Sequence, residues 1–445
     1  MQTPARARHM LERVLALVGT TKGVDAIATM YSERTGNTRF ARNEITSSGD
    51  VERLTLSVTA QMAKRSATAS TNQLDDRALD DLVTRVLHMV KLAPENPELM
   101  PPVGHQSYVK APPASDPATA KLAPGDRAKA VGAAIGRGDA AKLAIAGFLE
   151  HSTSLVARAS SAGLWAVHEA TSCSYSCTAR TADGTGSGWA SMSSNKIGDL
   201  DAGALAQIAV DKATRSAHPR RLDPGRYTVV LEPAAVAALL GFLIGSLQAR
   251  RADEGRSFFG KGGGATRVGD KLFPDTITLR SDPADAATDG MPFDGEGLAL
   301  QPTRWIDKGV LTGLVYTRFW AQKQGKRPTG QPRGWTLDGG KATRDELIAG
   351  VQRGVLITRF WYLRDLDPQT ILATGLTRDG TFLIENGKIV APVNNFRFNE
   401  SPIHMLASCD ALGATSIPGG DQGAGLRAPI LRTHDFNLAS ISEAV

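Results

Sequence analysis

A helical zinc-hydrolase site needs two histidines a turn apart, with a glutamate beside the first as general base. The eight histidines stand at 9, 88, 105, 151, 168, 218, 404 and 434, and no two are closer than 17 residues. That site cannot form here. His168-Glu169 followed by Cys173 and Cys177 offers ligand types. The stretch reads as strand, however, which puts both cysteines on one face as structural residues at a spacing unlike a zinc knuckle's. Gly255-Arg-Ser-Phe-Phe-Gly260-Lys261 has the spacing of a phosphate loop. Gly262 replaces the Ser/Thr that would hold magnesium, and a helix precedes where a strand should. The glycines at 260 and 262–264 then read as a flexible loop or hinge. No Gly-x-Ser-x-Gly elbow occurs. Cys409 follows His404, which leaves two readings, a thiol-based hydrolase or a small buried residue.

Residues 318–364 carry ten Lys/Arg against three Asp/Glu, interleaved with Phe319, Trp320, Trp335, Phe360, Trp361 and Tyr362. Cations could hold phosphates there while rings stack bases, so a nucleic-acid-associated regulator is one function class to keep. Against it, Val355 to Leu363 reads as a buried strand that takes its aromatics into a core and leaves a solvated basic loop near 323–344.

The elements that must position such residues follow from composition and pattern. At 445 residues the chain has room for two or three domains of ~150 residues. Hydrophobic residues at 42% and charged residues at 22% exclude wholesale disorder and a membrane-embedded body, and 45 glycines favour strands and turns. Three cysteines are too few for a disulfide framework and point to a reducing, cytoplasmic setting. The longest apolar run, 234–247, falls short of the ~20 residues that span a bilayer. The N-terminus has Arg6, Arg8 and Arg13 but no apolar segment of a secretory signal.

Val51 to Val58 alternates as a strand, and Leu79, Leu82, Val83, Val86 and Val90 repeat as a helix. Eight prolines between Pro94 and Pro124 mark a long surface connection. Helical patterns occupy 126–150, strand-like ones Leu164 to Trp189, and a break at His218 to Gly225 precedes the strand Tyr227–Leu231. Asn386-Gly387 and Lys308-Gly309 sit between apolar runs as hairpin turns. Thr-Arg-Phe-Trp occurs at 317–320 and 358–361, with flanks too unlike for a repeat.

Several segments together resemble the TldD/TldE (PmbA) family of metallopeptidase-related proteins, once called modulators of DNA gyrase. They are Thr38-Arg-Phe-Ala-Arg-Asn-Glu-Ile45, Ser70-Thr-Asn72, Asp183-Gly184 through Gly188-Trp189, Glu254-Gly-Arg-Ser-Phe258, Gly375-Leu-Thr-Arg-Asp-Gly-Thr-Phe-Leu-Ile-Glu-Asn-Gly-Lys388 and Asn395-Phe-Arg-Phe-Asn-Glu-Ser401. In the TldD branch a helix after the strand matching Tyr227–Leu231 carries His-Glu-x-x-x-His, and a cysteine in a glycine-rich C-terminal segment completes the zinc site. Here Gly241, Phe242 and Ser246 stand at those positions, and Ile417 to Gly425 has no cysteine.

The resemblance implies an α+β fold, with an N-terminal α/β domain over 1–220 and a β-rich C-terminal domain over 221–445. It further implies a TldE-like chain with no catalytic or metal-binding residues and no cofactor of its own. Such a chain would be the non-catalytic subunit of a heterodimeric peptidase for unfolded peptides, with zinc in a TldD-type partner. The alternatives are the regulator using 318–364 and a self-sufficient hydrolase around Cys409. Independently of metal, Val236, Leu239, Leu240, Leu243 and Leu247 form an apolar stripe, and Gly241 and Gly245 are expected to admit a neighbouring backbone.

Overall fold

The computed structural model describes residues 1–285, 287, 290–419 and 426–443. Strict alternation in Asp25–Ala41 turns Ala26, Ala28, Met30 and Phe40 to one face, as the two-residue period of a strand requires. Around this strand a six-stranded antiparallel sheet assembles in the order 65–71, 44–62, 25–41, 144–160, 165–180, 187–194. Helices Pro4–Gly19 and Asp76–Leu92 cover one end of that face, and Pro124–Ala141 and Ala202–Ser216 cover the other. The stripe Leu79, Leu82, Val83, Val86, Val90 is buried as its spacing requires, and Asp75 caps the helix by accepting the Ala78 N–H at 3.0 Å.

The helical reading of 126–150 runs too far. Lys142 takes a left-handed φ of 56° after Ala141, and Ala144 opens a strand. Small residues carry little periodic signal, so pairing with the strands on either side decides.

The proline-rich connection is more than a surface link. Val103 is buried with Leu164, Ala166 and Phe293 in a small core of its own. Glu98 accepts two bonds from Arg250 at 2.8 and 2.9 Å, and Tyr108 donates to the Gly297 carbonyl at 2.8 Å. The segment straps one sheet to the other.

Strands from Gly225 onward form a 13-stranded mixed sheet built around Leu426–Ser442. That strand lies beside Gly225–Leu231, which in turn runs parallel to Arg353–Ile357. Asn386 and Gly387, with φ of 49° and 73°, close the hairpin between Thr381–Glu385 and Lys388–Pro392. Lys308 and Gly309, both with positive φ, close the other. Two covers complete the unit: Pro233–Ser246 lies over the larger core, and Arg344–Ala349 packs on a second cluster with Val230, Leu356 and Phe382. The architecture is α+β.

Two further readings change, and a third holds. Gly260–Gly262 and Ala265–Thr266 pair as a short ribbon where a loose loop is expected. Between Val355 and Leu363 the chain breaks into strands Arg353–Ile357 and Phe360–Asp367, so only Phe360 among its rings enters the core, while Tyr362 stays 55% exposed. The two Thr-Arg-Phe-Trp copies differ in structure, one opening a helix at Arg318 and the other entering a strand at Phe360.

Candidate functional site

The helix Pro233–Ser246 is fixed by its apolar stripe. Val236, Leu239, Leu240, Leu243 and Leu247 are all fully buried, and Gly241 and Gly245 are exposed. A Cβ added at Gly241 or Gly245 would meet nothing within 4 Å, so neither glycine admits a neighbouring backbone as the sequence suggests. Glycine's close-approach role requires a neighbour, and this face has none. Gly241 and Phe242 instead line a cleft of about 310 Å³ with Ala238 and Leu363.

These positions do not fit a metal. Gly241 has no side chain and Phe242 no donor atom, while the Ser246 hydroxyl is spent on the Phe242 carbonyl of its own helix at 2.8 Å. Zinc takes thiolate, imidazole or carboxylate ligands, and the cleft lining has none. Among the described residues no group of three His, Cys, Asp or Glu could hold a metal ion. Residues 420–425 of the glycine-rich segment lie outside the described residues.

Leu363 reaches the cleft from Phe360–Asp367, a strand paired among described residues with Leu372–Thr377 alone. Its other edge has no strand partner among the described residues, and the Leu363 carbonyl accepts from Arg364 at 2.8 Å. Pairing shifts register between Trp361 and Arg364, and Tyr362 sits at φ 55° with Leu366 also exposed. Such an edge can take a further strand.

Next to it the two sheets meet. The Arg359 guanidinium lies over Trp189 at 4.3 Å and over Trp361 at 4.9 Å, and it donates to Asp379 at 3.0 Å. Ser187 of the first sheet also bonds the buried Asp379 carboxylate. Asp379 has φ 57°, and Thr358 donates to its carbonyl at 3.0 Å. Single-residue reading missed this seam, although Trp189, Asp379 and Asn395 all lie in segments that carry the family resemblance. Asp379, Gly380, Thr381 and Asn395 line a cleft of about 240 Å³ here.

The other candidates are dispersed. Cys409 is buried, its thiol pushed up to about 12 by desolvation, and it bonds the Ala411 carbonyl at 3.6 Å. A thiol held protonated at neutral pH is a poor nucleophile. His404 turns elsewhere, with Nδ1 3.2 Å from Glu400 and Nε2 3.3 Å from the Ser408 hydroxyl. That order of carboxylate, imidazole and hydroxyl is the order of a catalytic triad, formed where the strand Asn395–Glu400 runs into the helix Pro402–Ala407. Ser408, however, caps the C-terminus of Pro402–Ala407, where carbonyls and the negative dipole end would face an oxyanion. Cys173 and Cys177 face the core, both pushed to about 11 by burial. His168 and Glu169 share that strand without forming a ligand group with them. Lys261 of the phosphate-loop lookalike pairs with Asp270 at 2.6 Å.

Most cations of the basic stretch are exposed, and three of them form ion pairs within the protein. Arg318 pairs with Glu296, Arg344 with Glu232 and Asp345, and Arg359 with Asp379. Trp320, Trp335 and Phe360 are buried. Tyr362 and Arg364, by contrast, are exposed together, the guanidinium 4.4 Å from the ring centroid.

The profile of the PmbA/TldA metallopeptidase central domain matches residues 112–217, and that of the PmbA/TldA metallopeptidase C-terminal domain matches 224–440. A metalloprotease from Methanothermobacter thermautotrophicus is 25% identical over 255 residues, covering 50% of this chain and 53% of that one. Metalloprotease PmbA of Escherichia coli O157:H7 is 26% identical over 186 residues, 40% of this chain and 38% of its own. The chain thus spans about half or less of the length of these relatives. In fold it is similar to TldE from Thermococcus kodakarensis, with TM-score 0.86 and 16% identity over 97% of this chain and 100% of the other. It is also similar to a proposed modulator of DNA gyrase from Thermotoga maritima, with TM-score 0.84 and 17% identity over 97% and 100%. Strands around a capped helix, matched by two profiles over most of the sequence, define a metallopeptidase-like protein. The chain belongs to the TldD/TldE (PmbA) family.

Proposed function

We propose that this chain is the zinc-less, TldE-like subunit of a heterodimeric peptidase acting on unfolded peptides, with residues 1–220 and 221–445 as its two units. The observation that carries the reading is the helix face at Gly241, Phe242 and Ser246. Where the resemblance places two imidazoles and a carboxylate, the chain presents an apolar cleft with no titratable group in its lining. In this reading a TldD-type partner brings the zinc that polarises a peptide carbonyl and activates water. This subunit walls the chamber and holds substrate, with a peptide strand added along the open edge of Phe360–Asp367 and an apolar side chain in the adjoining cleft. Three unpaired, buried cysteines suit the reducing, cytoplasmic setting the reading requires.

Co-expression with a chain carrying His-Glu-x-x-x-His, followed by size exclusion and a peptide digest, tests this. The pair should cleave unfolded peptides in a chelator-sensitive manner, and the isolated chain should leave them intact. After dialysis against a weak chelator the isolated chain should hold far less than one zinc; about one zinc per chain would sink the assignment. Chelator-resistant cleavage by the isolated chain, abolished by Cys409→Ala or Ser408→Ala, would replace it with a self-sufficient hydrolase.

A further inference from the structure

A second pocket of about 230 Å³ opens between the helix Ala202–Ser216 of the first unit and the strands of the second. Its rim carries Lys212, Arg215 and Arg344, and its wall is made by Ile208, Leu356, Phe382 and Ile389. The cations are not equally engaged. Lys212 reaches Glu232 at 2.6 Å, and Arg344 stands 3.8 Å from the same carboxylate and 3.4 Å from Asp345. Arg215 forms no ion pair with a described carboxylate. Its guanidinium lies over the Phe382 ring at 5.6 Å from the centroid, and the residue is exposed. The remaining acid on the rim, Asp211, accepts a bond from Gln207 at 2.8 Å.

We infer that this pocket binds the C-terminal residue of a peptide, with the terminal carboxylate on Arg215 and Arg344 and an apolar side chain against Phe382 and Ile389. Size favours an end group, because pockets for whole drug-sized ligands run to ~300–1,000 Å³. Charge favours an anion, since Glu232 is already shared by two cations while Arg215 has none. A planar carboxylate matches the guanidinium fork. The apolar wall argues for a hydrocarbon side chain over a phosphodiester, which would leave Phe382 and Ile389 uncovered. The inference rests on the peptide-handling reading above and adds to it a preference for free chain ends. A free amino acid has the same carboxylate and side chain but adds an ammonium, for which only Asp211 and the engaged Glu232 are at hand.

The test uses the full chain alone, without partner or zinc. A fluorescein-labelled peptide ending in leucine, as free acid and as C-terminal amide, is titrated by fluorescence anisotropy. The acid should bind at least ~10-fold more tightly than the amide, which is about 1.4 kcal/mol. Arg215→Gln should abolish that difference, and Arg344→Gln should reduce it. N-acetyl-leucine should displace the acid peptide, and leucinamide should not. Equal affinity for acid and amide, or a preference that survives Arg215→Gln, would overturn the inference. Displacement by free leucine with none by N-acetyl-leucine would overturn it in favour of a free amino acid. Partner-dependent cleavage is measured separately, so either idea can fail while the other stands.

Discussion

At the scale of single residues, burial sets the chemistry that each group can perform. Desolvation holds Cys173 and Cys177 near 11 and Cys409 near 12, so iodoacetamide at pH 8 should label none of them in the native chain and all three in denaturant, read by intact mass. Rapid native labelling of Cys409 would revive its nucleophilic role. His151 is 2% exposed, and Arg127, itself fully buried, donates to its Nε2 at 3.1 Å. Arg127 has only donors, so His151 must be neutral there; burial first and then the Arg127 charge hold its pKa below the usual value, against the opposing pull of Asp50. The unfolded imidazole takes up a proton near ~6.5 while the folded one resists. The stabilisation is therefore present above that pH and is lost as pH falls toward the depressed folded value. The unfolding midpoint should drop between pH 7 and 5, less steeply in His151→Gln. Identical slopes would assign the acid sensitivity elsewhere.

For elements, the helix Pro233–Ser246 is buried on every side from Ala235 to Leu240 and exposed at Gly241 and Gly245. Leu240 is fully buried in the large core, and Leu240→Ala should cost about 2–5 kcal/mol through lost contacts and a cavity. Gly241, one residue on, faces open space. Gly241→Ala should stabilise the chain by about 0.5–1 kcal/mol because alanine costs less backbone entropy in a helix. Chemical denaturation of both variants measures the contrast. Destabilisation by Gly241→Ala would mean that the face is closed by something in the free protein.

In the whole molecule, the two sheets are joined by few but well-placed contacts. Arg359 neutralises a buried carboxylate and is held between a tryptophan from each sheet. Arg359→Ala should cost about 3–5 kcal/mol by leaving Asp379 buried without its cation. Asp379→Asn should cost less, since asparagine tolerates the left-handed backbone there and the guanidinium left without its anion stays partly exposed and stacked on two indoles. Denaturant midpoints for the pair settle the order. An equal cost for both would show that the ion pair, not packing on Trp189, holds the seam.

What the sequence determined by itself was local or chemical. Asn386-Gly387 dictated a hairpin because both residues tolerate positive φ, and the 3.6-residue repeat of Leu79 to Val90 dictated a buried helix face. Residue types at 241, 242 and 246 settled that those positions offer no zinc ligand, since side-chain chemistry needs no coordinates. The family resemblance was legible too, carried by segments scattered from Thr38 to Ser401. Tertiary structure alone decided what faces what. Nothing in the spacing of Gly241 says whether a backbone or open space lies above it, and 144–150 became strand only through partners on both sides. Trp189, Arg359 and Asp379 meet, and Arg215 settles on Phe382, because two separate sheets pack together. Such contacts depend on long-range packing and leave no periodic trace in the chain.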